Sequence, residues 1–183
     1  MDSGNFAWSI AATALVLFMT PGVAFFYGGL VKAKSVVSMM MMSFGAMGLI
    51  SVLWILYGFN MSLGGGSLAF AGNPFGPEGQ NFALANLDSA TLIGAAFGAT
   101  FAIITVALIS GAIADRAKFG SWLIFAGLWA TIVYFPVAAW VWGDGWILNF
   151  GGNTGLPSVI DYAGGTAVHI NAGAAALALA IVL

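Results

Sequence analysis

The chain has 183 residues, of which 61% are apolar and only 5% charged. Soluble domains carry roughly a quarter charged residues, so this composition excludes a water-soluble globule. Four Lys and Arg against six Asp and Glu give a net charge of −2, too few cations to neutralise a nucleic-acid backbone. No cysteine is present, which excludes disulfides, thiolate metal sites and cysteine nucleophiles. The apolar residues run continuously instead of alternating, so the expected class is an all-α membrane protein rather than a β-barrel.

Crossing a bilayer core of about 30 Å takes roughly 20 helical residues. Five runs are long enough, at residues 6–30, 36–59, 92–114, 122–142 and 163–183. The first has no basic flank and exceeds the length of a signal-peptide core, so it reads as a membrane helix. Lys32 and Lys34 fall between the first two runs, and Arg116 and Lys118 between the third and fourth. All four cations thus lie on one side, which predicts that side to be cytoplasmic, with the N-terminus outside and the C-terminus inside. Asp2, Glu78, Asp88, Asp144 and Asp161 fall on the opposite side, and Asp115 is the one acid among the cations. The cytoplasmic connections are short. The external ones, 60–91 and 143–161, are longer and carry turn chemistry such as Gly-Gly-Gly at 64–66 and Asn-Pro at 73–74.

His169 is the only histidine and stands inside the fifth run. If Asp161 marks the outer interface, His169 lies about 12 Å deeper, near the midplane. An ionisable group there points to a pathway or relay role; the alternative is a neutral imidazole bonded to a carbonyl in the bundle interior. Gly165 and Gly173 flank it at four residues on either side, and small neighbours on that face admit a helix or a solute. Asp161 precedes the fifth run, as a helix cap or as a carboxylate that orders a cation at an outer vestibule. Trp140, Trp142 and Trp146 close the fourth run. Such residues form interfacial belts, although an indole face also holds a small cation. Phe101, about 22 Å above the inner boundary, reads as packing, and the Met39–Met42 run as lipid-facing or core filling. Gly94-x-x-x-Gly98 permits close helix contact. No HExxH, Walker loop or Gly-x-Ser-x-Gly occurs, and one histidine without a second or any cysteine builds no zinc site, so neither an enzyme nor a metal or cofactor protein is expected.

The segment Asp161-Tyr-Ala-Gly-Gly-Thr-Ala-Val-His169-Ile-Asn resembles the fifth-helix signature of the Amt/Rh ammonium transporter family. The resemblance continues in Pro21-Gly-Val-Ala-Phe-Phe-Tyr-Gly-Gly-Leu30, Thr100-Phe-Ala-Ile-Ile-Thr105, Ser110-Gly-Ala-Ile-Ala-Asp-Arg116 and Val141-Trp-Gly143, in the family's order and over essentially the whole chain. It implies that Trp142 belongs to an external ammonium recruitment site, that Phe101 is the upper of two stacked gate phenylalanines, and that His169 is the first of a pore histidine pair. Asp161 would shape the recruitment site indirectly. The implied mechanism is selective dehydration: ammonium is drawn to an aromatic vestibule, then crosses an apolar histidine-lined pore as ammonia, with or without a proton. Tyr162 departs from the family, where Phe is commoner. The implied fold has about eleven spans in two inverted five-helix repeats, and residues 1–183 correspond to the N-terminal repeat, with the second absent. The resemblance further implies a homotrimer in the cell membrane, methylammonium as a substrate analogue, and a cytoplasmic regulator of the PII type. The alternatives are a non-transporting ammonium sensor or assembly module, and an Rh-like ammonia or CO2 channel.

Overall fold

In the computed structural model, residues 2–64, 70–151, 155–157 and 159–183 are described. Two of the three glycines at 64–66 therefore lie outside the described residues. Among the described residues, five helices are long and apolar enough to span a bilayer: α1 (Ser3–Leu30), α2 (Ala33–Gly58), α3 (Ser89–Ile113), α4 (Phe119–Trp142) and α5 (Gly165–Val182). No strand occurs among the described residues. Inside hydrocarbon every backbone N–H and C=O needs an internal partner, and a helix provides them within one segment.

Local chemistry explains where the helices begin. Asp2 accepts the Asn5 N–H at 2.8 Å, and Asp88 accepts both the Thr91 N–H at 2.9 Å and its hydroxyl at 3.1 Å. These caps start α1 and α3 ahead of the first residue of each apolar run. The backbone bonds hold the exposed Asp88 carboxyl below its ordinary pKa, with the Thr91 N–H as the largest cause. Asn73-Pro74 forms a turn closed by the Gly76 N–H on the Asn73 carbonyl at 2.9 Å, as its residues lead one to expect.

α3 is the central helix, with Ala102 through Ala107 all buried. α1, α2 and α5 pack around it, and α4 packs on α2. Trp54, Trp122, Tyr134 and Phe135 are the largest fully buried side chains. Both buried indoles donate across helices, Trp54 to the Ala95 carbonyl at 2.8 Å and Trp122 to the Met42 carbonyl at 2.9 Å. Such bonds pin helix pairs where apolar contact alone gives little orientation, since lipid tails are as apolar as leucine. The methionine run divides: Met39 and Met42 are core, whereas Met41 faces outward. Gly98 allows a close approach, because a Cβ there would stand 2.8 Å from the Trp54 ring, while Gly94 meets nothing. The outer surface is apolar, with Trp8, Phe18 and Ile181 each more than 70% exposed, as a surface turned to lipid requires.

Three spans contain wide π-turns, at Trp54–Gly58, Ala130–Tyr134 and Gly165–Ile170. The first two are joined where Tyr57 and Thr131 hydroxyls meet at 2.9 Å. Thr131 also donates to the Gly127 carbonyl at 2.8 Å, so Tyr57 is the donor of the bridge. The third π-turn opens α5 and positions the site described next.

Candidate functional site

Asp161 organises the entry to α5. Its Oδ1 accepts the N–H groups of Gly164 at 2.7 Å and Gly165 at 3.0 Å; its Oδ2 accepts those of Thr166 at 2.8 Å and Ala167 at 3.0 Å. One carboxylate thus satisfies the four N–H groups that a helix start leaves without intrahelical partners. Partial burial pulls the Asp161 pKa up, but these four donors outweigh it and hold the carboxyl below its ordinary value. The cap reading of Asp161 is therefore realised. The helix begins at Gly165, slightly later than the expected 163, because the chain turns first at Gly164. Gly164 has φ +85°, and a Cβ there would stand 2.5 Å from Val168 Cγ2. Only glycine meets both conditions without strain.

The Gly164 carbonyl is the next link. It accepts the backbone N–H of Val168 at 3.1 Å and of His169 at 2.9 Å, the second being the π-turn bond. It also lies 3.0 Å from Nδ1 of the His169 ring. A carbonyl only accepts, so neutral His169 carries its proton on Nδ1 and presents Nε2 as a bare acceptor. His169 is exposed on a face shared with Gly165 and Gly173, both exposed, and a Cβ on either glycine would meet nothing within 4 Å. The expected close approach to these glycines is open space in this chain. His169 thus makes its carbonyl bond, as one reading of the sequence held, but at an open face rather than in a closed interior.

Above that face the aromatic residues gather. The Trp142 and Phe101 rings meet edge to face with centroids 5.8 Å apart, and Phe101 meets Phe97 at 4.9 Å. Trp142 donates its indole N–H to the Asp161 backbone carbonyl at 2.9 Å, which fixes the ring against the start of α5. Around these side chains lies a cavity of about 270 Å³, lined by Leu63, Gly94, Phe97, Gly98, Phe101, Trp142, Asp161 and Tyr162. Trp142, Phe101 and Asp161 are brought together; His169, Gly165 and Gly173 are not among the lining residues. The other two tryptophans pack elsewhere: Trp140 donates to the Phe70 carbonyl at 2.8 Å, and its ring lies 5.9 Å from that of Trp146. Tyr162, though a lining residue, is 91% exposed.

Phe97 and Leu63 were not singled out from the sequence. Phe97 had a signal, since it stands four residues before Phe101 and hence on the same helical face. Leu63 had none, because the sequence reading ended the second span at residue 59, whereas a π-turn over Asn60–Gly64 carries it. Chemically, the cavity offers ring faces, one carboxylate already occupied by four donors and, among its described lining residues, no lysine, arginine or histidine. It suits a small cation or a small neutral solute.

The fold and this cavity define a multi-pass helical membrane protein with an aromatic pocket. The profile of the Ammonium Transporter Family matches residues 7–183, and the chain belongs to that family. It is 53% identical over 204 residues to an ammonium transporter of Mycobacterium tuberculosis, and 46% identical over 187 residues to one of Aquifex aeolicus. In both cases the alignment covers 100% of this chain and 43% of the relative. Among solved structures, Mep2 of Saccharomyces cerevisiae superposes with a TM-score of 0.85 at 30% identity, covering 100% of this chain and 40% of that one. A Candida albicans Mep2 mutant gives 0.84, also at 30% identity with 40% of its chain covered. The chain therefore spans less than half the length of the relatives it matches.

Proposed function

We propose that the complete protein is an ammonium permease of the cell membrane, and that residues 1–183 supply its outer recruitment pocket and one wall of the path beneath. The observation that carries this reading is the aromatic cavity of about 270 Å³ in which Trp142 and Phe101 meet above the Asp161 cap. Ring faces replace part of the water around a small monovalent cation, worth about 0.5–2 kcal/mol each depending on desolvation. Below Phe101 the route becomes apolar, and a bare cation meets a severe desolvation penalty. Ammonium escapes that penalty by giving up a proton, whereas potassium has none to give. His169, with Nε2 as acceptor and Nδ1–H tied to Gly164, is suited to receive a hydrogen bond from ammonia or to relay the proton.

The role is transport rather than catalysis. His169, Gly165 and Gly173 share an exposed face, so the opposite wall of the path must come from residues other than the described ones. We assign that wall to the second five-helix repeat that the inverted-repeat family fold implies. The same reading includes a homotrimer, a PII-type regulator on the cationic side, and the N-terminus outside.

Replacing Trp142 with Leu in the complete protein tests the pocket directly. Methylammonium uptake into proteoliposomes should need a several-fold higher concentration for half-saturation, because a cation-binding face is lost. An unchanged concentration dependence would remove Trp142 from recruitment.

A further inference from the structure

Gly94, Phe97, Gly98 and Phe101 share one face of α3, spaced by three and four residues, and all four line the aromatic cavity. That lining comes from residues 63 to 162, well inside the sequence. The two glycines differ in what they meet. A Cβ on Gly98 would stand 2.8 Å from the Trp54 ring and 3.2 Å from Leu63, so close packing demands glycine there. A Cβ on Gly94 would meet nothing within 4 Å. Gly94 is also ordinary α-helix within α3, so no left-handed backbone requires it. Glycine inside a helix costs stability relative to alanine, and neither packing nor conformation accounts for this one. What the missing side chain leaves is room in the cavity, about 10 Å along α3 from Phe101.

We propose that Gly94 sets the size limit of the pocket and leaves space for a short alkyl group on the ammonium nitrogen. Small primary alkylammonium ions then bind with the charged end against the Phe101 and Trp142 rings and the tail over Gly94. The inference rests on the permease reading and adds to it a specificity-determining residue. The chemistry divides along the cavity: ring faces at Phe101 and Trp142 attract the nitrogen, while Gly94, Leu63 and Phe97 offer apolar surface to a tail. The volume of about 270 Å³ is several times the roughly 30 Å³ share of a water-sized ion such as ammonium. Ammonium alone therefore leaves the cavity unfilled. A tail that leaves water for that space gains about fourfold in affinity per buried methylene.

The test is competition by propylammonium against ammonium uptake into proteoliposomes containing the complete protein. Each variant is read as the ratio of the propylammonium inhibition constant to the ammonium concentration at half-saturation. Wild type should show competition. Gly94→Ala should raise the ratio about two- to fourfold, and Gly94→Leu on the order of tenfold or more, as the added side chain takes the room of the tail. Alanine is the better helix former, so Gly94→Ala keeps the fold. Gly48 is the control: it is exposed on α2, outside the cavity, with nothing within 4 Å of its Cβ direction, and Gly48→Leu should leave the ratio unchanged. Saturable ammonium uptake in wild type without propylammonium competition would overturn the size limit while sparing the permease reading. An unchanged ratio in Gly94→Leu would do the same. Uptake lost in Gly94→Leu, with the ratio unchanged in Gly94→Ala, would place another helix against Gly94 and overturn it as well. Wild type without saturable ammonium uptake would overturn the permease reading and the size limit together.

Discussion

At the scale of single residues, Asp161 does more than its position suggests. Its carboxylate closes four backbone bonds, its carbonyl holds the Trp142 indole, and the turn it stabilises presents the Gly164 carbonyl to His169. It thus fixes the placement of both Trp142 and His169. Asp161→Asn keeps the size but not the function, because the amide NH₂ replaces one oxygen and faces two N–H donors. We expect a loss of about 1–3 kcal/mol in stability, measured by thermal unfolding in detergent, with Asp161→Ala no worse than slightly beyond it. The pH dependence has a definite sign. A carboxyl whose folded pKa lies below its unfolded value adds stability above the ordinary carboxylate pKa and loses it as pH falls through the lower, folded one. Between pH 7 and pH 5 this contribution should stay constant, so the wild-type and Asp161→Asn unfolding temperatures should keep the same gap. A gap that closes between those values would show the carboxyl already protonated there.

At the scale of elements, the start of α5 depends on a conformation as much as on side chains. Gly164 combines a left-handed backbone with a Cβ direction blocked by Val168. Gly164→Ala should destabilise by about 1–3 kcal/mol and disturb the π-turn that aims His169. Helical circular dichroism should be retained while the unfolding temperature falls, and the transport rate should fall further than Asp161-independent variants of similar stability. Retention of both stability and rate would mean that the turn is not the element that orients His169.

The same element shows what the sequence could and could not convey. Five spans were legible because 20-residue apolar runs have few other interpretations in a chain with 5% charge. Trp142, Phe101 and Asp161, each singled out from the sequence, line one cavity. The π-turns were invisible. A helix apolar on every side has no stripe whose phase would reveal a register shift, and Trp54–Gly58 and Gly165–Ile170 read as ordinary helix. The division of labour among Trp140, Trp142 and Trp146 was equally hidden, since it rests on which carbonyl each indole reaches. Depth along a helix can be counted from sequence; partners across helices cannot.

At the scale of the whole molecule, the described chain is an asymmetric object. One side of α3 is packed by its neighbours, while the face bearing His169, Gly165 and Gly173 stands open. An imidazole open to hydrocarbon would have its Nε2 unpartnered, at a cost of a few kcal/mol. A water-lined or solute-lined path beside it, as in the proposed permease, removes that cost.

The most direct test of the central claim is ion selectivity in proteoliposomes containing the complete protein. Ammonium-driven and potassium-driven fluxes are compared for wild type and His169→Ala under equal gradients. The account predicts that wild type passes ammonium and excludes potassium, and that removing the imidazole lowers the ratio of ammonium to potassium flux by at least tenfold. An ammonium flux and a potassium exclusion both unchanged in His169→Ala would contradict it, and would leave the histidine as a buttress of the α5 turn rather than part of the path.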